Sequence, residues 1–279
     1  MIIKNSYSMK DVRIIGVVLF LLSVNMFAST VDTISVFSNS MNKKIKAVVI
    51  LPENYNQGNN FSVVYLLHGH GDNYSGWIKK VPKIKKLADH YNFIIVMPDA
   101  EISWYWDSPV NKKLKYETFT STELIKYIDS KYKTKKDRKA RAITGLSMGG
   151  QGALFLAFRH QDIFGAAGSM SGGLDIRPFP LNWGLNEKLG SFDENKKRWN
   201  DFAVINQIYR LTPNSIQLII DCGVSDFFHQ VNANMHQKLL ERNIPHVYIE
   251  RPGGHSWDVW NDAVEYQFVF FNNYFLKNK

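Results

Sequence analysis

Apolar runs recur along the chain at the spacing of strands alternating with helices. "KAVVILP" and "FSVVYLLHG" come first, followed by "NFIIVMPDA", "RAITGLS", "AAGSMS", "IQLIIDCG" and "HVYIERPG". Several are rich in Val and Ile, and many end in Gly, Pro or Asp. Continuous rather than alternating apolar positions predict parallel strands buried on both faces. Between them lie helical patterns at 120–132, 148–160, 231–243 and 262–276. This order predicts an α/β fold with a mostly parallel sheet and helices on both sides. The opening "TVDTISVFSNSMNKKIKAVVILP" reads as an antiparallel hairpin on one edge. Residues 173–205 match no strand template and read as a small lid-like insertion. In such a fold ligands sit beyond the carboxyl ends of the strands.

The amino terminus breaks the pattern. Lys10 and Arg13 precede the apolar run "IIGVVLFLLSV", and "NMFAST" follows it. A short basic region, a run too short to span a bilayer and small residues beyond it predict a signal peptide over 1–30. Met9 offers an alternative start for the same leader. The expected product is an exported, soluble chain with one catalytic domain over 31–279.

Composition adds three constraints. The 279 residues are 45% hydrophobic and 14% aromatic, as suits one large globular domain. A single cysteine, Cys222, excludes an intrachain disulfide, and its apolar setting in "QLIIDCGV" makes it a core residue. Formal charge is +9, and removing Lys4, Lys10, Arg13 and Asp11 with the leader leaves +7 (9 − 3 + 1). The basic residues gather at 79–86, 111–115 and 131–141, separate stretches that read as solvated loop and helix-end faces rather than a nucleic-acid surface. Attraction to an acidic polymer is the second reading of these clusters.

Candidate chemistry centres on "AITGLSMGGQGAL". Gly145-Leu146-Ser147-Met148-Gly149 matches G-x-S-x-G, with a strand before it and a helix after. Such a turn lifts a serine out of the sheet as a nucleophile. Serine needs a general base, and the base needs an orienting carboxylate. Of the downstream histidines, His255 in "RPGGHSWDVW" falls in a glycine-freed loop between the last strand and the last helix. Two carboxylates compete for the third role. Asp221 ends a strand, where it can tie down backbone, and Asp226 lies in the loop "CGVSDFF" beyond it. The loop position favours Asp226. The oxyanion hole is expected from the N–H of Met148 and from that of His70 in "HGHGDNYSGW". The aromatics cluster in the predicted loops. Trp104 and Trp106 are expected to line the substrate cleft, and Trp257 to line it or brace His255.

The elements "LLHGHGDNYSGW", "SWYWDSP", "RAITGLSMGGQGAL", "DCGVSDFF" and "RPGGHSWDVW", in this order, resemble the esterase D-like family of α/β-hydrolases. That family includes feruloyl and acetyl-xylan esterases, tributyrin-type esterases, antigen 85 mycolyltransferases and S-formylglutathione hydrolases. The similarity runs from about residue 31 to 275. It implies an α/β-hydrolase fold, a nucleophile at Ser147, an acid at Asp226, a base at His255 and oxyanion donors at His70 and Met148. No cofactor is implied. The leader sets this chain apart from the cytosolic formylglutathione hydrolases.

The expected activity is therefore that of an exported serine carboxylesterase acting on short-acyl or phenolic esters, some of them carbohydrate-linked. Three rivals stand beside it. Acyl transfer to a sugar hydroxyl passes through the same acyl-serine. A carbohydrate-binding module could use the same cleft without catalysis, although the intact Ser147, Asp226 and His255 set argues against that. A metal site could be built from His68, His70, Asp72, Asp99 and His255, but the glycine-rich turn around the first two is already explained by the hydrolase reading.

Overall fold

The computed structural model describes residues 29–57 and 60–278; the leader expected over 1–30 falls almost wholly outside them. Eight strands form one sheet: β1 (Thr30–Ser38), β2 (Lys43–Leu51), β3 (Ser62–Leu67), β4 (Phe93–Pro98), β5 (Arg141–Gly145), β6 (Ala166–Met170), β7 (Gln217–Gly223) and β8 (Val247–Arg251). Their order across the sheet is β1-β2-β4-β3-β5-β6-β7-β8. β1 and β2 are antiparallel, and β2 meets β4 antiparallel. Every pairing from β4 to β8 is parallel. The hairpin and the parallel strands thus stand where the apolar pattern put them.

The reason lies in two-sided burial. Val63, Tyr65 and Leu67 of β3 face one layer of core, and Val64 and Leu66 face the other. A strand covered on both faces cannot carry a polar alternation. Helices α1 (Gly76–Lys80) and α2 (Ile84–Tyr91) cover one face together with the last helix. The opposite face carries α3 (Tyr116–Thr118), a π-helical turn over Phe119–Glu123, α4 (Leu124–Lys131) and α5 (Met148–Arg159). The helix expected over 120–132 thus starts earlier and contains the π turn. α5 is buried on almost every side, so it is apolar all round rather than amphipathic.

Residues 173–205 carry α6 (Leu185–Leu189), α7 (Lys196–Phe202) and the start of α8 (Val204–Gln207). Leu185, Leu189 and Trp199 sink into the same core layer as α5, which fastens this segment to the domain. α9 (His229–Glu241) links β7 to β8, and α10 (Trp257–Lys277) closes the chain. α10 buries Trp260, Ala263, Val264, Phe268, Phe271 and Phe275, a stripe at helical spacing. No helix among the described residues is long and apolar enough to cross a membrane.

Candidate active site

Ser147 joins β5 to α5 with φ 53° and ψ −118°, a backbone conformation that L-residues avoid. Such a residue costs on the order of 1–3 kcal/mol and persists only where its surroundings over-determine it. Here they do. The Ser147 N–H donates to the Met170 carbonyl of β6 (2.9 Å), and the Gly149 N–H returns to the Leu146 carbonyl (2.7 Å). Two of the flanking glycines are dictated by space. A Cβ on Gly145 would stand 2.7 Å from the Gly149 backbone, and one on Gly149 would stand 2.6 Å from the His68 carbonyl oxygen. Main chain passes main chain at contact distance, and no larger residue fits.

The loops after β7 and β8 converge on this serine. Ser147 Oγ–H donates to His255 Nε2 at 2.9 Å. His255 Nδ1–H donates to Asp226 Oδ2 at 2.8 Å and reaches Oδ1 at 3.0 Å. A carboxylate can only accept, so this contact fixes the imidazole tautomer with its lone pair toward the serine. Asp226 Oδ1 also accepts the Phe228 N–H (2.8 Å), and the Asp226 side chain is wholly buried. The two loops are tied to each other by Val224 N–H to the Arg251 carbonyl and Ser225 N–H to the Gly253 carbonyl, both 2.9 Å.

The other candidate carboxylate goes elsewhere. Asp221 is buried in β7 and accepts a forked pair of hydrogen bonds from Arg251 of β8, including Nε–H to Oδ1 at 2.8 Å. Burial pushes its carboxyl up from the ordinary range, and Arg251 offsets only part of that. It fastens the edge strand. The remaining downstream histidines are likewise engaged away from Ser147. His160 meets Glu117, His229 meets Glu250, and His236 meets His246.

A cleft of about 450 Å³ opens over the serine, lined in part by His70, Ser147 and His255. Met148 opens α5, where first-turn N–H groups lack intrahelical partners. Gly69 lies so close to the elbow that a Cβ there would stand 3.4 Å from Ser147 Cβ, and the next residue, His70, lines the same cleft as the serine. Of the two expected oxyanion donors, Met148 directly follows Ser147 and His70 shares its cleft. His68 turns inward instead: its Nδ1–H donates to the Gly69 carbonyl (2.8 Å) and its Nε2 accepts the Ala100 N–H (2.9 Å). Both ring nitrogens are occupied, and no group of three or more His, Cys, Asp or Glu among the described residues could hold a metal ion.

The tryptophans correct one expectation. Trp104 and Trp106 are buried and do not line the cleft. They stack on each other at 5.6 Å, and Trp106 packs against Phe155 of α5 and Phe202 of α7. Consecutive positive φ angles at Trp104 and Tyr105 turn this loop into the core instead of over the site. Trp257 does line the cleft, against Trp77 (5.2 Å) and Trp260 (5.4 Å). The other wall is Trp183 of the 173–205 segment, stacked on Phe227 at 5.7 Å, and Phe227 in turn lies 4.1 Å from the His255 ring. Phe227 was hidden in sequence because a Phe-Phe pair reads as packing. Its neighbour Phe228 is indeed buried, while Phe227 is half exposed.

Comparison with known proteins converges on the same chemistry. The family model described as Putative esterase matches residues 38–268. The chain is 26% identical over 259 residues to an acetyl esterase of Caldicellulosiruptor saccharolyticus, covering 86% of this chain and 97% of that one. It is 34% identical over 274 residues to the diacylglycerol acyltransferase/mycolyltransferase Ag85A of Mycobacterium leprae, covering 84% and 80%. A solved ferulic acid esterase superposes with a TM-score of 0.78 at 31% identity, over 89% of this chain and 99% of that one. The chain therefore belongs to the Putative esterase family and is a carboxylic ester hydrolase of the α/β-hydrolase fold.

Proposed function

We propose that the chain is an exported serine esterase that hydrolyses short-acyl or phenolic esters, including carbohydrate-linked ones, through an acyl-serine intermediate. The observation that carries this reading is His255, hydrogen-bonded at once to Ser147 Oγ (2.9 Å) and Asp226 Oδ2 (2.8 Å). Ser147 Oγ attacks the ester carbonyl carbon while His255 Nε2 takes the hydroxyl proton. The N–H groups of Met148 and His70 receive the oxyanion as the carbonyl double bond opens. Asp226 keeps Nδ1 protonated and supports the transient imidazolium, and its burial removes competing water. The carbon–oxygen bond to the alcohol then breaks as His255 returns the proton to that oxygen. Water deprotonated by His255 attacks the acyl-serine and releases the acid. These residues complete the cycle without a cofactor. The walls of Trp183, Phe227 and Trp257 favour planar acyl groups or sugar rings. The acetyl esterase and ferulic acid esterase relatives support the same substrate range.

Acyl transfer is the second reading, favoured by the mycolyltransferase relative. The two differ only in whether water or a sugar hydroxyl takes the acyl group from Ser147. The test is product analysis on p-nitrophenyl acetate, methyl ferulate and acetylated xylan, each with and without excess free sugar. Free acid in constant yield supports hydrolysis. Acylated sugar formed at the expense of free acid moves the assignment to transfer. A mature terminus near residue 30 in the exported product supports the leader, and an intact leader on a membrane-bound product removes it.

A further inference from the structure

The amino ends of β5, β6 and β7 frame a second cavity of about 460 Å³, as large as the catalytic cleft. β5 and its neighbours are five to seven residues long. At a rise of about 3.3 Å per residue, this cavity lies about 20 Å from Ser147, at the opposite pole of the sheet. It contains part of the basic run 131–141, which the catalytic reading leaves unused.

Its charge is one-sided. Arg138, Lys139 and Lys277 line it, and no Asp or Glu does, whereas the catalytic cleft includes Asp72. Arg138 is held in place by neutral acceptors, the main-chain carbonyls of Gln161, Phe164 (3.3 Å) and Ser215 (2.6 Å). Three of its N–H donors are thus taken by carbonyls, which do not neutralise its charge. The nearest acidic side chain in sequence, Asp137, accepts the Lys139 N–H at 2.8 Å, and its charge reaches Tyr274 of the lining, so three cations stand against one flanking carboxylate. Such a site attracts an anion.

The remaining lining narrows the ligand. Four side-chain amides, among them Gln217 and Asn273, stand beside the cations. The half-buried rings of Phe270 and Tyr274 complete the wall, and Tyr274 Oη fills the space over Gly165, where a Cβ would stand 2.1 Å away. Amides pair with neighbouring hydroxyls, and an aromatic face packs against the apolar C–H face of a sugar ring. Cations, amides and rings together suit a polyhydroxylated ring that carries a carboxylate.

We propose that this cavity is a non-catalytic site for hexuronic acid residues of an acidic oligosaccharide, holding the enzyme on a polymer while the opposite pole works. The proposal is independent of which ester the catalytic cleft prefers. It is tested on the full described chain by calorimetric titration with tetragalacturonate and with neutral xylotetraose, at low salt and at about 0.5 M NaCl. The expected result is tetragalacturonate binding that about 0.5 M NaCl largely removes, with xylotetraose at least about tenfold weaker. Lys139→Glu and Lys277→Glu should each weaken it about tenfold. Both variants should keep wild-type hydrolysis of p-nitrophenyl acetate, which reports that they fold. Tetragalacturonate should leave that hydrolysis uninhibited. Equal binding of the neutral sugar, unchanged binding in both lysine variants, or competition with the small ester would each overturn the site.

Discussion

Asp221 and Asp226 leave the same strand a few residues apart, are both buried, and both hold a basic partner, yet they belong to different parts of the machine. Asp221 sits inside β7 with Arg251 forked onto it from β8, so it can only hold sheet to sheet edge. Asp226 sits in the loop beyond, accepts His255 Nδ1–H and leaves Nε2 facing Ser147. The strand fixes the Asp221 side chain on one face of the sheet, diagonal to Arg251 of its neighbour, and the loop frees Asp226 to reach across the carboxyl ends. The same division separates the tryptophans. Trp104 and Trp106 belong to the packed layer under the site, and Trp183 and Trp257 to its walls.

The largest effect that can break this division is loss of Asp226, the orienter proposed for His255. Asp226→Asn should lower kcat about 10⁴-fold with a native far-ultraviolet spectrum, because the wrong imidazole tautomer would face the serine. Asp221→Asn should keep kcat within about tenfold and instead lose about 3 kcal/mol of stability in urea, since Arg251 is left without its counter-charge. If Asp221→Asn abolished activity in a folded protein while Asp226→Asn did not, the roles assigned to the two carboxylates would be reversed.

The aromatic layers give the next contrast. Trp104→Ala removes a buried ring and should cost about 3–5 kcal/mol, read as a lower midpoint of denaturation. Trp183→Ala should cost much less stability and raise KM for aryl and sugar esters about tenfold, with methyl acetate little changed. Equal stability losses with no change in KM would show that Trp183 belongs to the core rather than to the wall.

The smallest effect concerns acid. Glu117 of α3 is buried, which by itself raises its carboxyl, but hydrogen bonds from His160 and from Arg159 of α5 bring it below the ordinary range. Its folded pKa is thus depressed. The stability it supplies is present above its unfolded value near 4.5 and is lost as pH falls through the lower folded value. Wild-type stability should therefore fall across that acid window, and Glu117→Gln should be less stable at neutral pH with a flatter acid limb. An unchanged acid slope in the variant would remove Glu117 from this role.

Much of this was legible in the chain. Two-sided burial leaves continuous Val and Ile runs, so the parallel strands could be read directly. Gly145 and Gly149 are demanded by backbone contact within a local turn, and local constraints survive in sequence. His255 and Asp226 could be placed because each lies in the loop directly after a recognisable strand. Trp104 and Trp106 could not, since their direction depends on left-handed backbone at Trp104 and Tyr105 and on where α5 and α7 pack. The Trp183–Phe227 wall joins residues from two distant loops, and the basic cavity gathers residues from four stretches of chain. Those juxtapositions are products of the fold and have no local signature.

The most direct test of the account is a rapid-mixing measurement of p-nitrophenol release from p-nitrophenyl acetate by the wild type and Ser147→Ala, with intact mass recorded on quenched samples. The account predicts a stoichiometric burst and an acetyl adduct on the wild type, and neither on a folded Ser147→Ala protein. A burst and adduct that persist in Ser147→Ala would contradict it, because the acyl group would then be carried by another residue.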